Sequence, residues 1–155
     1  MVARTLLSVT DDLLKLFNRD CEHLIAELEL FESDAALWVV AAGVSNAAGN
    51  LVLHIVGNLN HFIGVGLGGT DFRRDRPAEF ASRDIPKRQL ILQLEGTKTM
   101  LATVLPQLNA ARLEGIYPEE VLGYPMTTRY FLIHLYGHLN YHLGQVNYLR
   151  RVLHG

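Results

Sequence analysis

The chain has 155 residues, 49% hydrophobic and 19% charged, with a net charge of −2 when histidine is counted as neutral. That length suits one domain, residues 1–155, around a single apolar core, and the balance of residue types excludes a disordered chain. There is no overall basic excess of the kind that draws a protein to nucleic acid, and the only cysteine, Cys21, excludes both an internal disulfide and a CxxC zinc site.

The opening segment MVARTLLSVTDD meets acidic residues too early for a signal peptide. The longest strongly apolar run, Ala35 to Val44, falls short of the ~20 residues that cross a bilayer. A soluble protein of the cytoplasm, with no membrane partner, is the expectation.

Thr10, followed by Asp11 and Asp12, has the chemistry of a helix N-terminus, where a hydroxyl caps free N–H groups and carboxylates suit the positive end. Leu13, Leu14, Phe17, Cys21, Leu24, Ile25 and Leu28 then recur at spacings of three and four, predicting one amphipathic helix that ends near Phe31. Cys21 lies on its apolar side and reads as a buried small hydrophobe. The patch around Trp38 predicts a short helix or packed loop, with Trp38 in the core or as the wall of a pocket.

Ser45 or Asn46 is the expected cap of a second helix. On it Leu51, His54, Asn58, His61 and Val65 share a face, while Val52, Val56, Leu59 and Ile63 make the opposite side apolar as well. A helix covered on both sides, with polar groups on one of them, is expected to line a site. The segment GVGLGG, Gly64 to Gly69, matches GxGxxG only formally. No strand precedes it, so it reads as helix termination by glycine.

Thr70 to Asp84 reads as a charged connection, and from Gly66 to Asp84 the chain is long enough to run the length of a bundle and set the second and third helices parallel. Its arginines, Arg73, Arg74, Arg76 and Arg83, are expected to pair with Asp71, Asp75, Glu79 and Asp84, with an anionic substrate as the alternative. Asp84 is the expected cap of a third helix with Pro86 in its first turn and the stripe Leu90, Ile91, Leu94, Thr97, Leu101 and Val104. Pro106 bends or ends it, and Asn109 to Pro125 reads as a second long connection with a short extended piece over Val121 to Tyr124. Thr127 or Thr128 caps the last helix, where Phe131, His134, Leu135, His138, His142, Gln145 and Leu149 share one face. Four helices, long links and no sheet predict an all-α four-helix bundle with a crossover connection.

His134, His138 and His142 stand four residues apart, about one turn each. At ~1.5 Å rise per residue the outer two are roughly 12 Å apart along the axis, too far to share an ion whose bonds to nitrogen are ~2.0–2.1 Å. The last helix therefore offers an adjacent pair, either His134 with His138 or His138 with His142. His54 and His61 are seven residues apart, so the second helix offers one ligand. Three protein ligands with open positions is the pattern of a catalytic metal centre. HExxH, GxSxG and a Walker loop are absent.

Three of these stretches carry a resemblance. HLNYHLGQVNYLRR, with His138, His142, Gly144 and Gln145, resembles the last-helix motif of the DinB/YfiT-like metalloenzyme superfamily. NLVLHIVGNLNHFI, with His54, Gly57 and Asn58, resembles its second helix, and DRPAEF, Asp75 to Phe80, a crossover segment of one of its branches. The resemblance implies a four-helix bundle with a crossover and a divalent metal (Zn, Ni, Fe or Mn) on His54, His138 and His142. His134, His61, Asn58, Gln145, Tyr141 and Trp38 become neighbours of the ligands or lining of the pocket. It further implies a metal-dependent transferase that activates a low-molecular-weight thiol toward a small electrophile, and a homodimer. A metal-dependent hydrolase activating water, and a non-catalytic binding bundle, are the alternative expectations.

Overall fold

The computed structural model describes residues 8–154. Helix α1, Val9–Glu29, is capped two residues before the expected position. Ser8 is the cap: its Oγ accepts from the Asp11 amide, and the Asp11 carboxylate accepts from the Ser8 amide at 3.0 Å. This reciprocal box satisfies two free donors and outcompetes the lone hydroxyl of Thr10, which is buried in the first turn. A 3₁₀ turn, Ala35–Trp38, follows. Trp38 is core: its indole N–H donates to the Ile85 carbonyl at 3.1 Å, and a Cβ at Gly49 would stand 2.7 Å from its ring.

Helix α2, Ala48–Gly68, starts after Ala47, and neither Ser45 nor Asn46 caps it. It widens to π geometry over Asn60–Val65, and Gly69, at φ +64°, ends it in the left-handed conformation that glycine adopts without strain. The Tyr117 hydroxyl donates to the Phe62 carbonyl and the Asn60 side-chain Nδ2 donates to the Val56 carbonyl, holding the widened turn. Among the described residues α2 is the helix long and apolar enough to cross a membrane, a longer apolar element than the run at 35–44. Neighbouring helices enclose it, and Asn50, His54 and Asn58 are buried along it.

The connection from α2 contains a helix of its own, α3, Arg76–Ala81, capped by Asp75, whose Oδ1 accepts from the Ala78 amide. Asp84 caps nothing. It sits at φ +60°, and α4, Lys87–Val104, starts three residues later. The first amide of α4 donates instead to Asp34, from the loop after α1, and Lys87 Nζ donates to the Phe31 carbonyl at 2.7 Å. A short helix α5, Ala110–Glu114, capped by Asn109, lies in the stretch expected to be a loop. The piece at 121–124 is a turn, with Gly123 at φ +83°, rather than extended chain. The described residues contain no strand, only one isolated bridge, Ile116 to Thr127. Helix α6, Thr128–His154, is capped by Thr127, whose hydroxyl accepts from the Tyr130 amide.

Side-chain partners fix the directions of the four long helices. Asn60 meets Thr97 and a Cβ at Gly68 would meet Val104, so α2 and α4 are parallel. The connection between them runs back along α2, since Asn50 donates to the carbonyls of Glu79 and Ser82. The crossover expected from the length of residues 66–84 is therefore present. Arg19 meets Tyr136 and Glu27 meets Arg150, so α1 and α6 are parallel as well, while Lys98 on Glu22 makes α4 antiparallel to α1. Each of α1 and α2 packs on both α4 and α6. Phe17, Leu24, Ile55, Leu59, Leu90, Leu94, Phe131 and Leu135 fill the space between them. The architecture is an all-α bundle with a crossover.

Candidate metal centre

Antiparallel packing of α2 on α6 brings three imidazoles together. His54 Nε2 is 3.1 Å from His138 Nε2, which is 3.1 Å from His142 Nε2, and the three nitrogens lie within 4.8 Å of one another. Ligands around a tetrahedral ion with ~2.0–2.1 Å bonds stand about 3.3 Å apart, so the observed spacing is close to that of a coordination sphere. The rings are nearly perpendicular, 70° between His54 and His138 and 84° between His138 and His142.

The outer nitrogens decide what the inner ones can do. His54 Nδ1 is 2.9 Å from Glu79 Oε1. Glu79 is buried, which raises its pKa. The hydrogen bonds from His54 and Arg74, together with the Arg74 charge, outweigh that and hold the carboxyl below its usual range. An ionised carboxylate only accepts, so Nδ1 carries the proton and Nε2 of His54 offers a bare lone pair. Arg74 Nη2 lies 3.4 Å from the same Nδ1, but its shorter bonds go to the carboxylate, Nε to Oε2 at 2.8 Å and Nη2 to Oε1 at 2.9 Å. His142 Nδ1 is 2.7 Å from Gln145 Oε1, which likewise places the proton on the outer nitrogen and the lone pair inside. Two lone pairs then face His138 Nε2, which carries at most one proton. Such a cluster lacks a positive centre, and a divalent cation is the group that all three nitrogens satisfy together. The donor set fits a metal.

The same cluster resists protonation. Burial pushes the His138 imidazole down to about 3, with repulsion from His142, His54, His134 and Arg74 in support. Burial also lowers His142, against the hydrogen bond to Gln145, with the charge of His54 adding to the lowering. A pH dependence follows. The reference imidazole titrates near ~6.5, so between about 6.5 and 3 the unfolded chain binds a proton at residue 138 that the folded chain refuses. Stability present above that window is lost as pH falls through it. The metal-free protein should lose melting temperature from pH 7 to pH 4 more steeply than His138→Gln. The extra slope has a ceiling of about 1.4 kcal/mol per pH unit, reduced by the water that reaches this half-buried ring. Carboxylate effects are common to both proteins, so differential scanning fluorimetry of the pair isolates residue 138. Parallel slopes would remove the assignment.

The structure places the other expected site residues as follows. His134 is exposed and stacks on Phe131 and, at 6.5 Å between centroids, on His138; it does not converge on the cluster. His61 packs its ring on Phe62 instead. Asn58 is buried one turn beyond His54, and its Oδ1 has no hydrogen-bond partner among the described residues. Tyr141 stands edge-on to His142 and, with Gln145, lines a cleft that opens beside the cluster. Trp38 lies in the core and is not among the cleft residues.

Glu79 and Arg74 were expected as members of a salt-bridge network on a solvated loop, with an anionic substrate as the alternative for Arg74, yet they are the buried support of His54. Their position depends on α3, whose Asp75 cap and Pro77 were the legible signals, and on Gly57. A methyl group there would collide with Glu79 Oε2. Gly57 thus gives the carboxylate its place against the α2 backbone.

No family model and no curated protein matches this sequence. Solved structures do match it. One is a conserved protein from Enterococcus faecalis, 18% identical, aligned over 95% of this chain and 98% of its own, with a TM-score of 0.77. Another is a DinB-like protein from Bacillus cereus, 20% identical, aligned over 90% of this chain and 89% of its own, with a TM-score of 0.69. Fold and site together define a helical bundle with a three-histidine group able to hold a metal ion. The fold is that of the DinB-like proteins.

Proposed function

We propose that the protein is a divalent-metal-dependent transferase that activates a small thiol for attack on an electrophile. The observation that carries this reading is the convergence of three Nε2 atoms whose outer nitrogens are held by Glu79 and Gln145. A divalent cation held by three imidazoles keeps open positions and would acidify a thiol or water that joined it.

The chain's own residues support an external nucleophile. Cys21 is buried on α1, and burial pushes its thiol up to about 12. No lysine, cysteine, aspartate or glutamate lines the cleft beside the histidines. Glu79, the carboxylate that touches the cluster, is occupied by His54 and Arg74 and is not poised as a base toward the cleft. A site without its own base suits a nucleophile that gives up its proton on binding. The thiol proton goes to solvent, the S–C bond forms, and the leaving group departs with its electron pair.

The test uses untagged protein loaded with Zn, Ni, Fe or Mn in turn. It is assayed with 1-chloro-2,4-dinitrobenzene plus L-cysteine or glutathione, and separately with 4-nitrophenyl acetate without thiol. Conjugation that requires both metal and thiol is the expected result. Ester cleavage without thiol would replace this reading with a hydrolase, and bound metal with no turnover on either panel with a binding bundle.

A further inference from the structure

The cleft beside the histidines has a volume of ≈ 630 Å³, within the range of small-molecule pockets. His54 and His142 form part of its wall, so a ligand in it lies against the cluster. Leu51, Phe80 and Leu149 line it together with Tyr141, Tyr148 and Val152 from successive turns of α6. None of the lining residues is Lys, Arg, Asp or Glu. The large apolar and aromatic groups at this opening are also left to solvent, with Tyr148 73% and Val152 69% exposed. Single exposed hydrophobes are ordinary, but several around one concavity mark a binding surface.

We propose that this cleft binds the electrophilic substrate and selects an uncharged molecule bearing an aromatic ring. The role as substrate seat rests on the function proposed above; the binding preference does not. Phe80, Tyr141 and Tyr148 offer ring faces and edges to a planar ligand. In the metal-free protein an anionic ligand would leave water for a wall with no Lys or Arg, at a desolvation cost that apolar contact does not return. Arg76 lies 5.5 Å from the centroid of the Phe80 ring but is not itself a lining residue. The part of the cleft away from the histidines therefore fits the uncharged electrophile, and an anionic thiol belongs at the cation.

Two fluorescent probes that share a ring system test this. N-phenyl-1-naphthylamine is neutral, and 8-anilinonaphthalene-1-sulfonate adds one sulfonate. On metal-free protein the neutral probe should bind at least about tenfold more tightly. Tyr148→Ala should weaken it several-fold, since an aromatic contact contributes about 0.5–1.5 kcal/mol. Val44→Lys, at the exposed rim, should narrow the gap by strengthening the sulfonate. Loading with Co(II) should quench the bound neutral probe, placing it beside the histidines. Near-UV circular dichroism confirms that each variant is folded. Equal affinity for both probes, or variants that change neither, would overturn the proposal. Metal bound with neither probe bound overturns it and leaves the metal reading standing. Neutral-probe binding to a protein that takes up no metal does the reverse.

Discussion

His138→Ala is expected to bind divalent metal at least about a hundredfold more weakly than the parent protein, a larger loss than the 10–100-fold that follows from disturbing the support of a ligand. His138 is the middle member of the cluster, with its Nε2 3.1 Å from each of the other two. Removing it leaves two ligands, His54 and His142, on facing helices, in place of three. Elemental analysis and competition titration of untagged protein measure the loss. His54→Ala and His142→Ala should behave alike, and His134→Ala and His61→Ala should keep the metal, because neither ring is among the three that converge. Metal retained in His138→Ala, or lost equally in His134→Ala, would sink the assignment. The fold should survive. Crowded lone pairs are a cost the metal-free protein carries, and alanine relieves it. Added metal should stabilise the parent by about 2.7 kcal/mol at a hundred times its dissociation constant, which is roughly 5–10 °C in a domain of this size, and should leave His138→Ala unchanged.

The contrast between residues 134 and 142 shows where reasoning from spacing stopped and the family resemblance made the choice. Periodicity placed all three histidines of α6 in one row, and helical rise limited them to an adjacent pair. Neither could choose the pair, because the choice depends on which turn of α6 lies opposite His54. That register is fixed by packing such as Phe62 on Phe131, which has no local sequence signature. The helices themselves were legible because their apolar stripes repeat at three and four residues. Their ends were less so. Ser8 outcompeted Thr10 through a reciprocal bond to Asp11, and α4 borrowed its cap from Asp34, a residue 53 positions away. Glu79 was hidden for the same reason. A carboxylate in an arginine-rich connection reads as solvated until the chain is known to fold back along α2. Its burial is created by Asn50 bonding the carbonyls of Glu79 and Ser82, a contact between segments about thirty residues apart.

Glu79→Leu should destabilise the protein by about 3–5 kcal/mol, the usual result of stranding one member of a buried ion pair. The side chains of Arg74 and Glu79 are 11% and 6% exposed, so the guanidinium would lose two charge-assisted bonds without regaining water. The double variant Arg74→Met/Glu79→Leu should recover most of that loss, because exchanging a buried pair for apolar groups of similar size is often neutral. Metal affinity separates the two roles of the carboxylate. The double variant should still bind about 10–100-fold more weakly than the parent, since His54 would lack the acceptor that keeps its proton on Nδ1 and its ring turned inward. Glu79→Gln keeps a neutral acceptor and should lie between them. Gly57→Ala approaches the same point from α2. Alanine favours a helix interior by up to about 1 kcal/mol over glycine, yet its methyl occupies the space of Glu79 Oε2. With Asn50 holding the α3 backbone, the carboxylate can yield only by leaving His54 or Arg74. Gly57→Ala should therefore lower metal affinity at least tenfold whatever it does to melting temperature. Urea unfolding and metal titration on the four variants decide it: if affinity follows stability through the series, Glu79 is a tether for the crossover and has no part in orienting His54.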